Sequence, residues 1–228
     1  MPHAFFFLST GDPASRMASR YAKHLELEFI KSGWLVEDCY SPWCLSEETH
    51  VLHFSGHGEP QGWVVGGRVV RPAVRARIVL SLACYAAQRY GEELGRRGIT
   101  FVGFDDEFLF LAPSRCKHED CDPQKIVVAG LTFEPWREMV RLILMGYPVS
   151  IAVEVARKLY RDLAKRVVRG EIDVPDDVRE HLAAVLLHNS KHLTYRGPDV
   201  RVGRMAGTYL VKMLPAIVPL FAHLGSRR

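Results

Sequence analysis

The sequence predicts an α/β protein with a mostly parallel central sheet flanked by helices. Three observations predict it. RIVLSLA (77–83) shows almost no polar alternation, as expected of a parallel strand covered on both faces, and residues 4–9, 49–55 and 99–104 are further largely apolar or β-branched segments of strand length. Segments with helical periodicity are interleaved with them, the pattern of a parallel sheet built from strand–helix crossovers. Gly33 and Gly98 fall where those helical patterns stop.

Residues 4–9 read as the first strand. Ser9, Thr10 and Asp12 then supply capping candidates, and Pro13 suits a first helical turn, so a helix is expected from there to Lys31. Residues 34–36 form a second short strand and 49–55 a third. Residues 63–74 read as a hairpin turning at Gly66 and Gly67. RIVLSLA (77–83) is a core strand, residues 85–97 a helix that opens directly behind Cys84, and ITFVGF (99–104) another core strand. An irregular stretch at 111–124 follows. Helices are expected over 132–145, 148–168 and 175–187, then an extended segment at 193–202.

The 228 residues suit one domain, divided here into residues 1–203 and an apolar helical tail, 204–228, packed on that domain or on a partner. Lys212, Pro215 and Pro219 interrupt the tail, which favours a buried or partner-facing helix over a membrane anchor. The short apolar N-terminus is led by no basic residue, unlike a secretory signal, so a cytoplasmic protein is expected. A net charge of +4 without a Lys/Arg cluster gives no nucleic-acid footprint. Four of the five cysteines fall in two Cys-x4-Cys pairs, CYSPWC (39–44) and CKHEDC (116–121). These pairs suit disulfides, one four-thiolate zinc site or free buried thiols. Cys84 is the cysteine without a nearby mate.

In an open parallel sheet the ligand crevice lies beyond the C-terminal strand ends. Three stretches are delivered there: SGHGEP (55–60), ACYAAQ (83–88) and DDEF (105–108). A thiol needs a neighbour to become a nucleophile, and a histidine can take its proton and later return it to a leaving group. Cys84 at a helix start would gain from the helix dipole. His57 stands between Gly56 and Gly58, and the Gly58 N–H can join that of Cys84 as an oxyanion donor. Alone, His57 is a turn residue and Cys84 a small core residue. Their pairing on neighbouring strand ends raises the catalytic reading. His50, His53 and His57 recur at three- and four-residue spacing, but strand alternation keeps them off one face, so a zinc hydrolase is a remote reading. His118 within CKHEDC reads as a solvated loop residue rather than a ligand.

HFSGHG (53–58) and LSLACY (80–85), separated by a hairpin, resemble the catalytic pattern of the caspase-like cysteine peptidases, especially CHAT-domain and gingipain-like members. GITFVGF (98–104), MGYPVSIAVEVAR (145–157) and LTYRGPDVRV (193–202) are similar to later segments of those domains, though Gly197, Pro198 and Asp199 stand in changed order. The resemblance implies a three-layer caspase-like fold. It implies a cysteine endopeptidase working through an acyl-enzyme without metal or cofactor, on protein or peptide substrates. Cys84 would be the nucleophile, His57 the general acid/base, and Gly58 and Cys84 the backbone oxyanion donors, with no third residue required. Asp105 and Asp106 would form an acidic pocket for a basic P1 side chain. Tyr85 departs from the small or polar residue that relatives often carry after the cysteine. The competing expectation is a catalytically silent binding module of the same fold, docked through its tail to a regulatory protein.

Overall fold

The computed structural model describes residues 1–41, 45, 48–113, 116, 121 and 126–202. Cys44, His118 and the apolar tail at 204–228 lie outside the described residues. Six strands form the central sheet: β1 (His3–Leu8), β2 (Leu35–Cys39), β3 (Glu48–Ser55), β7 (Arg75–Leu82), β8 (Thr100–Phe104) and β9 (Leu193–Arg196). Their order is β2-β1-β3-β7-β8-β9. All neighbours pair in parallel except β9, which runs antiparallel to β8. The expected α/β class with a mostly parallel sheet is therefore the observed one.

Alternation along each strand divides the core into two layers. Phe6, Val51, Ile78, Leu80 and Val102 face one side, where α1 (Pro13–Lys31), α3 (Val127–Leu144), α4 (Val149–Val168) and α5 (Asp176–His192) contribute buried side chains to the same cluster. Phe5, Phe7, Leu52, Phe54, Val79 and Phe101 face the other. There they meet Tyr90 and Leu94 of α2 (Arg89–Arg96) and Trp63 of a small antiparallel sheet. That sheet comprises β4 (His57–Glu59), β5 (Gly62–Val65) and β6 (Arg68–Val70). Gly66 and Gly67 both take positive φ (58° and 74°), which a two-residue turn of the type favoured by hairpins requires.

Helix α1 spans the expected residues because Asp12 caps it: its carboxylate accepts the Ala14 and Ser15 amides at 3.0 and 3.1 Å. Three helices differ from expectation, α5 among them, which runs on to His192 rather than stopping at 187. Helix α3 starts at Val127, with Pro135 inside it. Helix α2 starts at Arg89, not directly after Cys84. Residues 84–88 form turns instead, because the Tyr85 amide donates to the Asp106 carbonyl and the Ala87 amide to the Phe104 carbonyl. Both bonds tie the segment to the β8 strand end rather than to a helical ladder.

Cys116 and Cys121 form a disulfide, and Cys39 is disulfide-bonded as well. Of the readings open for the Cys-x4-Cys pairs, the second pair is thus a local cross-link and not part of a zinc site. Cys84 is the free thiol among the described residues.

Candidate active site

Parallel pairing puts three strand ends on one edge. The register couples Leu8 with Ser55 and Ser55 with Leu82, so the chain leaves β1, β3 and β7 at one level. The Ser9 amide continues the ladder to the Ser55 carbonyl at 3.0 Å, and the Gly56 amide to the Leu82 carbonyl at 3.2 Å. His57 and Cys84 then each stand two residues beyond a paired residue on adjacent strands. They line one cleft together with Ala14, Gly56, Phe108 and Phe110. Of the strand-end residues expected here, His57, Cys84 and Phe108 line the cleft, whereas Asp105 and Asp106 do not.

The glycines flanking His57 make this approach possible. A Cβ on Gly56 would stand 2.8 Å from the Ser9 Cβ. A Cβ on Gly58 would overlap the Cys84 carbonyl oxygen and stand 2.9 Å from the Ala83 Cβ. Gly58 therefore lies directly against the Cys84 main chain. Pairing of Gly58 with Trp63 fixes it there.

His57 has a partner that sequence reasoning missed. Its Nε2 lies 2.8 Å from the Asp12 Oδ2. A carboxylate only accepts, so Nε2 carries the proton and Nδ1 keeps the lone pair that a base needs. Partial burial pushes the Asp12 carboxyl up, but the Ser15 hydroxyl and amide and the adjacent imidazole outweigh it and hold the group below its ordinary range. Asp12 thus stays ionised and orients the ring. The only sequence signal was its place just after β1, where it read as a helix cap; it serves both purposes.

This dual use is separable. Asp12→Ser keeps a capping oxygen and removes the contact with His57, whereas Asp12→Ala removes both. We expect the alanine variant to lose about 1 kcal/mol of stability and the serine variant well under half of that. Chemical denaturation of the two variants checks this, and equal losses would show that Asp12 does not support α1 as described.

Cys84 differs from expectation in its electrostatics. It sits in a turn without a helix N-terminus behind it. Burial pushes its thiol up; the Phe108 amide opposes this, and the charges of Glu107 and Asp106 add to it. The resting group is a protonated thiol that needs a base, not a preformed thiolate. Tyr85 next to it holds φ of 58°, uncommon for a bulky residue, and its hydroxyl donates to the Glu107 carboxylate at 3.1 Å. Backbone strain of this kind costs about 1–3 kcal/mol and gathers at functional turns.

The acidic loop after β8 has partners of its own. Asp105 Oδ1 lies 2.9 Å from His192 Nδ1, and its Oδ2 3.7 Å from the Arg196 guanidinium. Asp106 Oδ2 lies 3.6 Å from His192 Nε2. Neither carboxylate lines the cleft of Cys84. His53 is fully buried, stacked on Phe6 with ring centroids 4.9 Å apart; burial lowers its pKa to about 3 and keeps it neutral. It is a core residue on the opposite face from Phe54, well separated in role from His57.

The class that fold and site define is an α/β protein with an Asp–His pair and a half-buried thiol at the C-terminal edge of its sheet. No family model, curated protein or solved structure matches the chain.

Proposed function

We propose that the protein is a cysteine endopeptidase in which Cys84 is the nucleophile and His57 the general acid/base. The observation that carries the reading is the shared cleft of His57 and Cys84, with the histidine tautomer set by Asp12. His57 Nδ1 takes the thiol proton as Cys84 Sγ bonds to the scissile carbonyl carbon. The same proton passes to the leaving amine as the C–N bond breaks, giving a thioester. Water, deprotonated by His57, then hydrolyses the thioester and restores the thiol. The amides of Gly58 and Cys84, whose main chains touch, are the proposed oxyanion donors. Protein or peptide substrates need no cofactor for this chemistry.

A preference for basic P1 residues is part of the proposal. Asp106 and Glu107 bring negative charge to bear on Cys84. Asp105 is engaged by the side chains of both His192 and Arg196 and Asp106 by that of His192 alone, so Asp106 is the better contact of the predicted pair. Among the described residues, no helix is long and apolar enough to cross a membrane. The cytoplasm is the proposed location, with one condition: a lasting disulfide such as Cys116–Cys121 persists there in hyperthermophiles rather than in ordinary reducing cytosol.

The silent binding module is the second reading, favoured by the raised thiol of Cys84. Peptidyl acyloxymethyl ketones with Arg, Lys, Asp or Leu at P1 separate the two. The peptidase reading expects covalent labelling at Cys84 with the basic probes, lost in His57→Ala. Labelling by none of the four, alongside intact fold by circular dichroism, would leave the binding module. Labelling by the Asp probe alone would remove the basic preference and keep the peptidase.

A further inference from the structure

We propose that Asp106, His188 and His192 form a binding site for one divalent transition-metal ion of the kind that imidazole favours, with Zn²⁺ the ion to test. One donor atom from each of the three half-buried side chains lies within 4.8 Å of the other two. His192 Nε2 and Asp106 Oδ2 are 3.6 Å apart. Ligands of tetrahedral zinc, at bonds of about 2.0–2.2 Å, stand roughly 3.4 Å from one another. The remaining spread closes by small side-chain rotations.

The hydrogen bonds around the three residues are what a metal site requires. His192 Nδ1 donates to Asp105 Oδ1 at 2.9 Å, so the neutral ring presents a lone pair at Nε2, toward Asp106. His188 Nε2 lies 2.9 Å from the Glu107 carbonyl oxygen. A carbonyl only accepts, so that nitrogen carries the proton and Nδ1 keeps its lone pair. Asp106 Oδ1 accepts the Glu107 amide at 2.9 Å, leaving Oδ2 uncommitted to the main chain. In the tautomers these contacts select, each ring keeps one nitrogen lone pair, and with the Asp106 carboxylate the three side chains offer a cation three acceptors. Ligating histidines characteristically donate their other nitrogen to a carboxylate or carbonyl, and both rings do so here.

The site is also held on rigid parts. His188 and His192 are four residues apart in the last turns of α5, so they share a helix face. Between them Asn189 clamps the facing loop: it accepts the Leu109 amide at 3.0 Å and donates to the Leu109 carbonyl at 2.7 Å. The bound ion would lock α5 to residues 105–109. The Asp106 carbonyl in turn accepts the Tyr85 amide, so the lock reaches the turn beside Cys84. The competing state is a proton on His192, shared with Asp105 and Asp106.

The test uses full-length protein stripped with chelator and titrated with Zn²⁺ against a chromophoric competitor, then with Co²⁺ as a spectroscopic substitute. The expected result is one ion per chain, a tetrahedral Co²⁺ spectrum lacking a thiolate charge-transfer band, and a rise in melting temperature with Zn²⁺. Affinity should fall more than about 100-fold in His188→Ala/His192→Ala, and in Asp105→Asn by the 10–100-fold typical of an outer-shell partner. Asp106→Asn, which preserves shape, guards against a folding defect in the double variant. Cys84→Ser and His57→Ala should bind as the parent does. Absence of binding in the parent, undiminished binding in both ligand variants, or loss of binding in Cys84→Ser overturns the proposal. None of these readouts depends on peptidase activity, so the two readings fail separately.

Discussion

His57→Ala is expected to lower kcat/KM toward a cleaved peptide by 10²–10⁴-fold on the peptidase reading, the usual worth of a positioned general acid/base. The reason lies in the state of Cys84. Burial, seconded by the charges of Glu107 and Asp106, holds the thiol above its ordinary range, so little thiolate exists near neutrality without a base. The sign of the pH effect follows. A raised thiol is neutral over a wider range, and thiolate appears only as pH climbs past the ordinary cysteine value. In His57→Ala, alkylation of Cys84 by iodoacetamide should therefore still be rising where a free cysteine has levelled off. Mass spectrometry of the Cys84 peptide across pH measures this. A plateau at or below the ordinary thiol range would mean that the fold stabilises the thiolate, and the need for His57 as base would fall. Cys84→Ala should remove turnover altogether, which distinguishes the site from a contaminating activity.

How much of this could be read from the chain depends on the range of each interaction. The pairing of His57 with Cys84 was legible because both follow largely apolar strand segments, VLHF and IVLSL, and parallel strands deliver their C-terminal ends to one edge. The glycines of SGHG were legible as space-makers, and the Ser9, Ala83 and Cys84 atoms they admit are their physical justification. Asp12 was not legible as a partner of His57. Its local environment reads as a helix cap, and only the sheet order, with β1 beside β3, carries it to the histidine. The start of α2 was misread for the opposite reason. Tyr85, Ala86 and Ala87 are tolerable helix residues, but their amides are claimed by β8 and its following loop, and tertiary bonds override local propensity. The gathering of His188 and His192 at Asp106 was invisible, since it depends on α5 ending where β9 turns back along β8.

Trp63→Ala is expected to cost about 3–5 kcal/mol, a large share of the 5–15 kcal/mol that keeps a domain folded. The ring is fully buried and lies parallel to Phe54 with centroids 4.4 Å apart, and edge-on to Tyr90 at 5.2 Å. Its Nε1 donates to the Ser81 hydroxyl at 2.9 Å, across a strand neighbouring Phe54. Truncation empties that space and strands a buried hydroxyl. Trp63→Phe keeps an aromatic contact and should cost less, chiefly the lost hydrogen bond and part of the volume. The consequence reaches the site because Trp63 pairs with Gly58, and Gly58 abuts the Cys84 carbonyl. Loosening the small sheet therefore loosens His57, the first residue of β4, relative to the thiol in the turn after β7. Denaturant unfolding measures the stability of both variants. Hydrogen exchange at Val64 reports the sheet itself. A loss under about 1 kcal/mol in Trp63→Ala, with exchange unchanged, would show that the small sheet is held to the core by something other than this ring.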